Sequence, residues 1–307
     1  MISRREFAGS AGFAGAMLAA GASTRAVSAP ILAVTAAGPW TRHGTVHRAG
    51  GELGFATLGD RTDQPPVVLL HKLGGWLADW RDVAAPLAKG RQVIAFDLPG
   101  HGTSRWLGKP PQVQTVLETA SLVLGALQDL GLPRTDLAGT SLGGCVAVAM
   151  AALAPDRVRK LALPSCVLGP ASTREEVTRK EQAQAAMFTA DGLPLPVAPG
   201  VSKEIFGLLD ADRIGAEQNA SRALAGRWIR PHERGVAFSN FVALMAQVTA
   251  PTLLLYGARD TFFLKYRAGA EAALTDVRSV VLPGASGFPV QDNPRETAGE
   301  LIKFFDH

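Results

Sequence analysis

Residues 136–144 read Asp136-Leu137-Ala138-Gly139-Thr140-Ser141-Leu142-Gly143-Gly144, and the nine that follow, to Leu153, are all apolar. A short buried strand that runs straight into an apolar helix must turn within two or three residues. Small neighbours on both sides of Ser141 allow the strained φ/ψ such a turn demands. The turn would set the serine hydroxyl at the carboxyl end of a sheet. It would also aim the Leu142 N–H, at the helix N-terminus, toward developing negative charge. The alternative is a glycine-rich strand–helix turn with no chemistry.

Working outward, residues 67–70 (Val-Val-Leu-Leu) and 93–96 (Val-Ile-Ala-Phe) are continuous apolar runs, the mark of strands buried on both faces. Helical spacing covers 80–89 and 113–130, the latter ending at Gly131, and a further strand falls at 158–163. Upstream, 45–48 and 53–58 read as two strands about the Ala49-Gly50-Gly51 turn. Alternating strand and helix predicts a parallel sheet with right-handed crossovers. The alternation stops near residue 170. Stretches 173–187 and 211–228 are helical in character, and 192–200, with Pro194, Pro196 and Pro199, is a loop. The sheet pattern resumes at 252–256 and 279–282, and 295–305 closes the chain as a helix. The expectation is an α/β core in two parts, 30–169 and 248–307, with a mostly helical cap inserted at 170–247. No internal repeat is present.

Three further segments accompany the serine turn. Leu70-His71-Lys72-Leu73-Gly74-Gly75 ends one strand, Asp97-Leu98-Pro99-Gly100-His101-Gly102-Thr103-Ser104 follows the next, and Leu255-Tyr256-Gly257-Ala258-Arg259-Asp260 ends a later one. In this order, over residues 66–305, they resemble the α/β-hydrolase fold family: a mostly parallel central sheet with helices on both faces and a helical cap. The layout is similar to its esterases, lactonases and C–C hydrolases. The resemblance implies Ser141 as nucleophile, the backbone N–H groups of Leu73 and Leu142 as oxyanion hole, and Asp260 as triad acid. A turn aspartate capping the following helix is the other reading of Asp260. His71 and His101 fall where the family's histidines brace loops.

The pattern breaks at one position. The family's segment of the type Pro-Gly-x-Gly-His-Phe-Pro reads Pro283-Gly284-Ala285-Ser286-Gly287-Phe288-Pro289 here, so Gly287 stands where the general base is expected. The next histidine, His307, lies roughly 18 Å further along a helix. A serine hydroxyl is a poor nucleophile unless a base about 3 Å away takes its proton. Loss of the histidine alone costs about 10⁶ in rate in subtilisin, while oxyanion donors and binding retain ~10³–10⁴ over water. Two residues are candidate substitutes. Lys72 replaces a glycine of the His-Gly segment, and is expected to face solvent or, alternatively, to bring an ammonium near Ser141. His232, in Arg230-Pro231-His232-Glu233 of the cap, is expected at the surface, or else dipping in from above. His43 and His47 lie in the first strand, far from the sheet's carboxyl edge.

Among the 307 residues 47% are hydrophobic, which excludes wholesale disorder and supports a sizeable core. Net charge is +4; without residues 1–29 there remain 28 basic and 26 acidic residues, so no basic surface argues for nucleic acid. Nor does charge point to an anionic substrate. The two cysteines, Cys145 and Cys166, read as buried thiols. Ser3-Arg4-Arg5-Glu6-Phe7, opening an Ala/Gly-rich stretch to Ala22, resembles a twin-arginine export signal spanning 1–29. At 16 residues that stretch is short of the roughly 20 a spanning helix needs, so a periplasmic or secreted protein without a permanent membrane anchor is expected. Nothing in the sequence bears on oligomeric state.

The partner expected is a small molecule, with no cofactor, metal or nucleotide implied. The leading reading is an exported hydrolase of ester-like bonds in a small, partly apolar substrate, acting through Ser141 with an atypical or missing base. A second is a catalytically degenerate ligand-binding protein, its pocket lined by Met187, Phe188, Trp228, Phe238, Phe241 and Met245. A third is a lyase or isomerase that uses the oxyanion hole without acylating serine. Serine at 141 excludes dehalogenase and epoxide-hydrolase chemistry, which needs a carboxylate nucleophile.

Overall fold

Nine strands among the described residues, 38–307, form one sheet in this computed structural model. They are β1 (Arg42–Arg48), β2 (Gly51–Leu58), β3 (Val67–Leu70), β4 (Val93–Phe96), β5 (Arg105–Trp106), β6 (Thr135–Gly139), β7 (Val158–Pro164), β8 (Thr252–Gly257) and β9 (Val277–Leu282). The order is β1-β2-β4-β3-β6-β7-β8-β9, with β5 added to β2. Pairings of β2 with β1, β4 and β5 are antiparallel; the rest are parallel. The export signal read at 1–29 lies outside the described residues. No helix among the described residues is long and apolar enough to cross a membrane.

The unbroken apolar runs have a physical cause. Strands β3, β4, β6 and β8 are buried along their whole length. Successive side chains of β3 go to opposite cores, Val68 and Leu70 to one, Val67 and Leu69 to the other. The first core holds the buried faces of α2 (Val116–Asp129), α3 (Leu142–Leu153) and α9 (Arg267–Ala273). The second holds α1 (Arg81–Leu87) and α11 (Pro294–Asp306), with α10 (Pro289–Asp292) leading into the latter.

Boundaries moved where side-chain capping decides them. Thr115 and Glu118 form a capping box, so α2 begins at Val116 rather than at 113. The helix expected at 80–89 splits into a tight turn at Leu77–Trp80 followed by α1. Between β7 and β8 the chain is helical: α4 (Arg174–Ala183), α5 (Pro199–Phe206), α6 (Ala211–Ala225), α7 (Ile229–Ala237) and α8 (Phe241–Met245). This insertion overlies the carboxyl edge of the sheet, since Trp228 covers Gly100 and His232 reaches the Pro99 carbonyl.

One buried ion network ties β6 to β7 and α11. Asp136, wholly buried, accepts from Arg159 Nε (2.8 Å) and Nη2, and from Arg91 Nη1 at 3.4 Å. Arg159 Nη2 also donates to the Phe305 carbonyl at 2.6 Å. Asp136→Ala would leave Arg159 without its carboxylate and Arg91 with only the half-exposed Asp306. A loss of about 3 kcal/mol is expected, read as a lower urea midpoint with an unchanged m-value.

Candidate functional site

Ser141 sits between β6 and α3 at φ 50° and ψ −115°, a conformation that costs a non-glycine residue about 1–3 kcal/mol. Close packing enforces it. A Cβ on Gly139 would fall 2.3 Å from the Gly143 carbonyl, one on Gly143 2.2 Å from Leu70 O, and one on Gly144 2.0 Å from Cys166 Sγ. The helix start is thereby pressed against β3 and against Cys166, two residues past the end of β7. Ser165, itself at φ 48°, accepts the Ser141 N–H at 3.0 Å. Ser141 is half-buried and its hydroxyl does not cap α3. Leu142, first residue of α3, has no intrahelical acceptor for its N–H.

The loop after β3 runs beside this turn. Gly74 N–H donates to His101 Nε2 (3.1 Å) and Gly75 N–H to Lys72 O (2.9 Å). The Leu73 N–H between them and β3 meets no protein acceptor among the described residues.

Two expectations fail here. Lys72 does not face solvent: it is 3% exposed, with Nζ 3.0 Å from Asp79 Oδ2 and 5.3 Å from the Phe288 ring. Its amine is spent on a buried ion pair that joins the β3 loop to the turn before α1. Burial pushes the Asp79 carboxyl up while Lys72 draws it down. His232 is not at the surface either. It is buried, and its Nε2 lies 2.9 Å from the Pro99 carbonyl, which makes that nitrogen the proton-bearing one.

His232 completes a stack of three buried histidines, with ring centroids 5.0 Å apart for His71–His101 and 5.1 Å for His101–His232. Each braces backbone: His71 Nε2 accepts from Leu98 N–H (2.9 Å), and His101 Nε2 from Gly74 N–H. Asp97 completes the frame, accepting from Leu77 N–H (2.7 Å), Thr103 N–H (2.6 Å) and Thr103 Oγ1 (2.8 Å).

Asp260 follows β8. Its Oδ1 accepts from the N–H groups of Phe262 and Phe263, both at 2.8 Å, whereas Oδ2 is buried with no partner. Burial foremost raises its carboxyl above the ordinary value, and the amides draw it down. The turn-capping reading thus describes one oxygen and leaves the other free. Gly287 lies against this group: a Cβ there would stand 3.1 Å from Asp260 Oδ1 and 3.3 Å from the Phe206 carbonyl. That carbonyl, at the end of α5, accepts the Gly287 N–H at 2.7 Å. The Phe206 ring packs on Phe262, Phe263 and Phe288, centroids 4.6–5.9 Å away. The sequence carried no signal for this contact between insertion and core.

The residues expected to line a cap pocket separate. Met187 and Phe188 border a small cavity with Leu73 and Arg222. Phe241 and Met245 are core, Phe238 is 40% exposed, and Trp228 packs edge-on against Trp106. Arg222, which charge counting passed over, has Nε and Nη2 buried without partners.

The family model for the alpha/beta hydrolase fold matches residues 65–294. An esterase of Mycobacterium tuberculosis is 28% identical over 254 residues, covering 78% of this chain and 82% of that protein. Among solved structures, the enol-lactonase of Burkholderia xenovorans superposes with a TM-score of 0.71 at 22% identity, covering 86% of this chain and all of that one. A putative lipase of Acinetobacter baumannii gives 0.74 at 19%, covering 92% and 97%.

The histidine stack predicts acid sensitivity. Burial lowers His101 to about 4 and His232 to about 3, and burial and the neighbouring His101 put His71 well below its ordinary value. Unfolded histidines take protons near pH 6.5, so stability is full above that and is lost as pH falls toward 4. Asp97, raised by burial to about 6, acts oppositely between pH 6 and 4 and offsets part of the loss. The melting temperature is expected to fall between pH 7.5 and 5, and to fall less steeply in His232→Gln. Equal slopes would refute the assignment.

Proposed function

Because the chain belongs to the α/β-hydrolase fold family, we propose that it hydrolyses ester-type bonds of a small, partly apolar substrate through Ser141, with Asp260 retained and the general base missing. The observation that carries this reading is the turn at Ser141: a strained, solvent-reaching serine at the start of a helix, with the Leu142 and Leu73 amides free to receive an oxyanion. The esterase relative supports the reaction class.

Lys72 and His232 are not proposed as the base, since an ion pair holds the first and a backbone carbonyl takes the proton-bearing nitrogen of the second. With no base beside it, the hydroxyl must lose its proton to water or to the substrate itself, so acylation is slow. The dyad-like remnant of Asp260 and Gly287 favours a second reading, ligand binding without turnover, and one set of measurements separates the two.

A fluorophosphonate should label Ser141 slowly, and Ser141→Ala should abolish both labelling and turnover of short 4-nitrophenyl esters. In Gly287→His, the new side chain leaves the backbone against Asp260, with contacts of 3.1 and 3.3 Å that need a few tenths of an ångström of yielding. Turnover should rise by about 10²-fold or more, the usual contribution of a positioned base. No labelling of the unchanged protein would leave the binding reading. We also propose export by way of residues 1–29; changing Arg4 and Arg5 to lysine should keep the protein in the cytoplasmic fraction.

A further inference from the structure

The peptide groups of the loop after β3 are held one by one. Lys72 O accepts the Gly75 N–H at 2.9 Å and lies 2.7 Å from His71 Nδ1. His71 Nε2 accepts the Leu98 N–H, so the proton of the neutral imidazole is on Nδ1 and the Lys72 carbonyl takes two hydrogen bonds. That carbonyl and the Leu73 N–H belong to one trans peptide plane and point opposite ways. Fixing the first aims the second.

Lys72 is also held at the far end of its side chain. Nζ stands 3.0 Å from Asp79 Oδ2, both side chains are buried, and neither atom has another polar partner among the described residues. Gly75 makes room for the pair, since a Cβ there would fall 2.0 Å from Asp79 Oδ2. Asp79 belongs to the turn Leu77–Trp80, whose first N–H goes to Asp97 Oδ1. The tether thus runs from the loop to the frame that Asp97 builds. Ser141 and Ser165 are the non-glycine residues at positive φ among the described residues, so lysine carries no such strain at 72. The glycine expected there answers to no left-handed backbone in this chain.

We propose that the Lys72–Asp79 pair is a positioning device, clamping the 72–73 peptide so that the Leu73 N–H meets the negative oxygen of a tetrahedral adduct on Ser141. Neither residue touches substrate. The inference rests on the hydrolytic reading above and deepens it, giving Lys72 a part other than that of the base. Apolar burial is non-directional, whereas a buried pair with no alternative partner has one arrangement that leaves neither charge alone. Gly74, at φ 67°, and Gly75 give this loop a freedom that such a tether removes. Placement matters more with glycine at 287, because oxyanion donors and binding then supply the rate that remains, about 10³–10⁴ over water.

The test uses the full chain. Lys72→Met/Asp79→Leu removes both charges at similar volume, an exchange that is often neutral for stability; Asp79→Asn is the second variant. Butylboronic acid is the probe: Ser141 Oγ adds to boron, the hydroxyl proton leaves to solvent, and the adduct's negative oxygen needs the Leu73 and Leu142 amides. Boron NMR reads the affinity, hydrogen exchange reads the Gly74 and Gly75 amides, and the melting temperature reads the fold. The double variant should keep its melting temperature while boronate affinity falls about tenfold or more and both amides exchange faster. Turnover of 4-nitrophenyl butyrate should lose kcat by a similar factor at nearly constant KM; a donor displaced by about 1 Å is enough for that. Unchanged boronate affinity overturns the inference, whatever the exchange shows. If the double variant does not fold, Asp79→Asn carries the same readouts with a smaller expected loss, and no loss there overturns the inference. If the unchanged protein gives neither a fluorophosphonate label nor a boronate adduct, the hydrolytic reading fails. Faster exchange at Gly74 and Gly75 in the double variant then still supports the clamp, and unchanged exchange overturns it.

Discussion

The backbone of Ser141 is held where a non-glycine residue does not rest by itself, and the rest of the site is arranged around that constraint. A wholly buried strand and an almost wholly buried helix meet at this residue, and three glycines let their backbones approach to contact. Relaxing the turn would mean parting α3 from β3 and from Cys166, and so opening the larger core. A strain of about 1–3 kcal/mol is small against that burial. The serine is thus presented at the sheet edge by packing that would be lost if it turned inward.

A polar frame surrounds the turn, and its logic is backbone satisfaction. The loops after β3 and β4 have few partners of their own, so their amides go to side chains: Leu98 to His71, Gly74 to His101, Leu77 and Thr103 to Asp97. A frame of buried neutral imidazoles has no charge to shed at neutral pH. It leaves the Leu73 amide without a protein acceptor among the described residues. His232 joins this frame from the insertion, so the insertion is anchored to the same polar layer that shapes the loop after β3.

Much of this architecture was legible in local patterns, because period and turn chemistry are local. The runs at residues 67–70 and 93–96 announced two-sided burial, and the Gly139–Gly144 stretch announced the turn. Helix ends were less legible: Thr115 moved the start of α2 by three residues through a capping box. What failed depended on contacts that only the folded chain brings together. Lys72 reads as a surface residue until Asp79 folds over it, and His232 until Pro99 rises to meet it. Arg222 was unreadable for the opposite reason, since its distinction is a partner it lacks.

The same reasoning weighs what the site retains. Packing alone suffices to keep Ser141 strained, so the turn would survive in a chain with no chemistry left. Asp260 is different. Its Oδ1 does all the work that turn geometry asks, taking the Phe262 and Phe263 amides. Oδ2 is buried with no partner, and a neutral asparagine would cap the turn without a desolvated charge. Gly287 lies instead against the bonded Oδ1, and its N–H goes to the Phe206 carbonyl of the insertion. A buried carboxylate oxygen that turn capping leaves without a partner is the feature that packing does not explain.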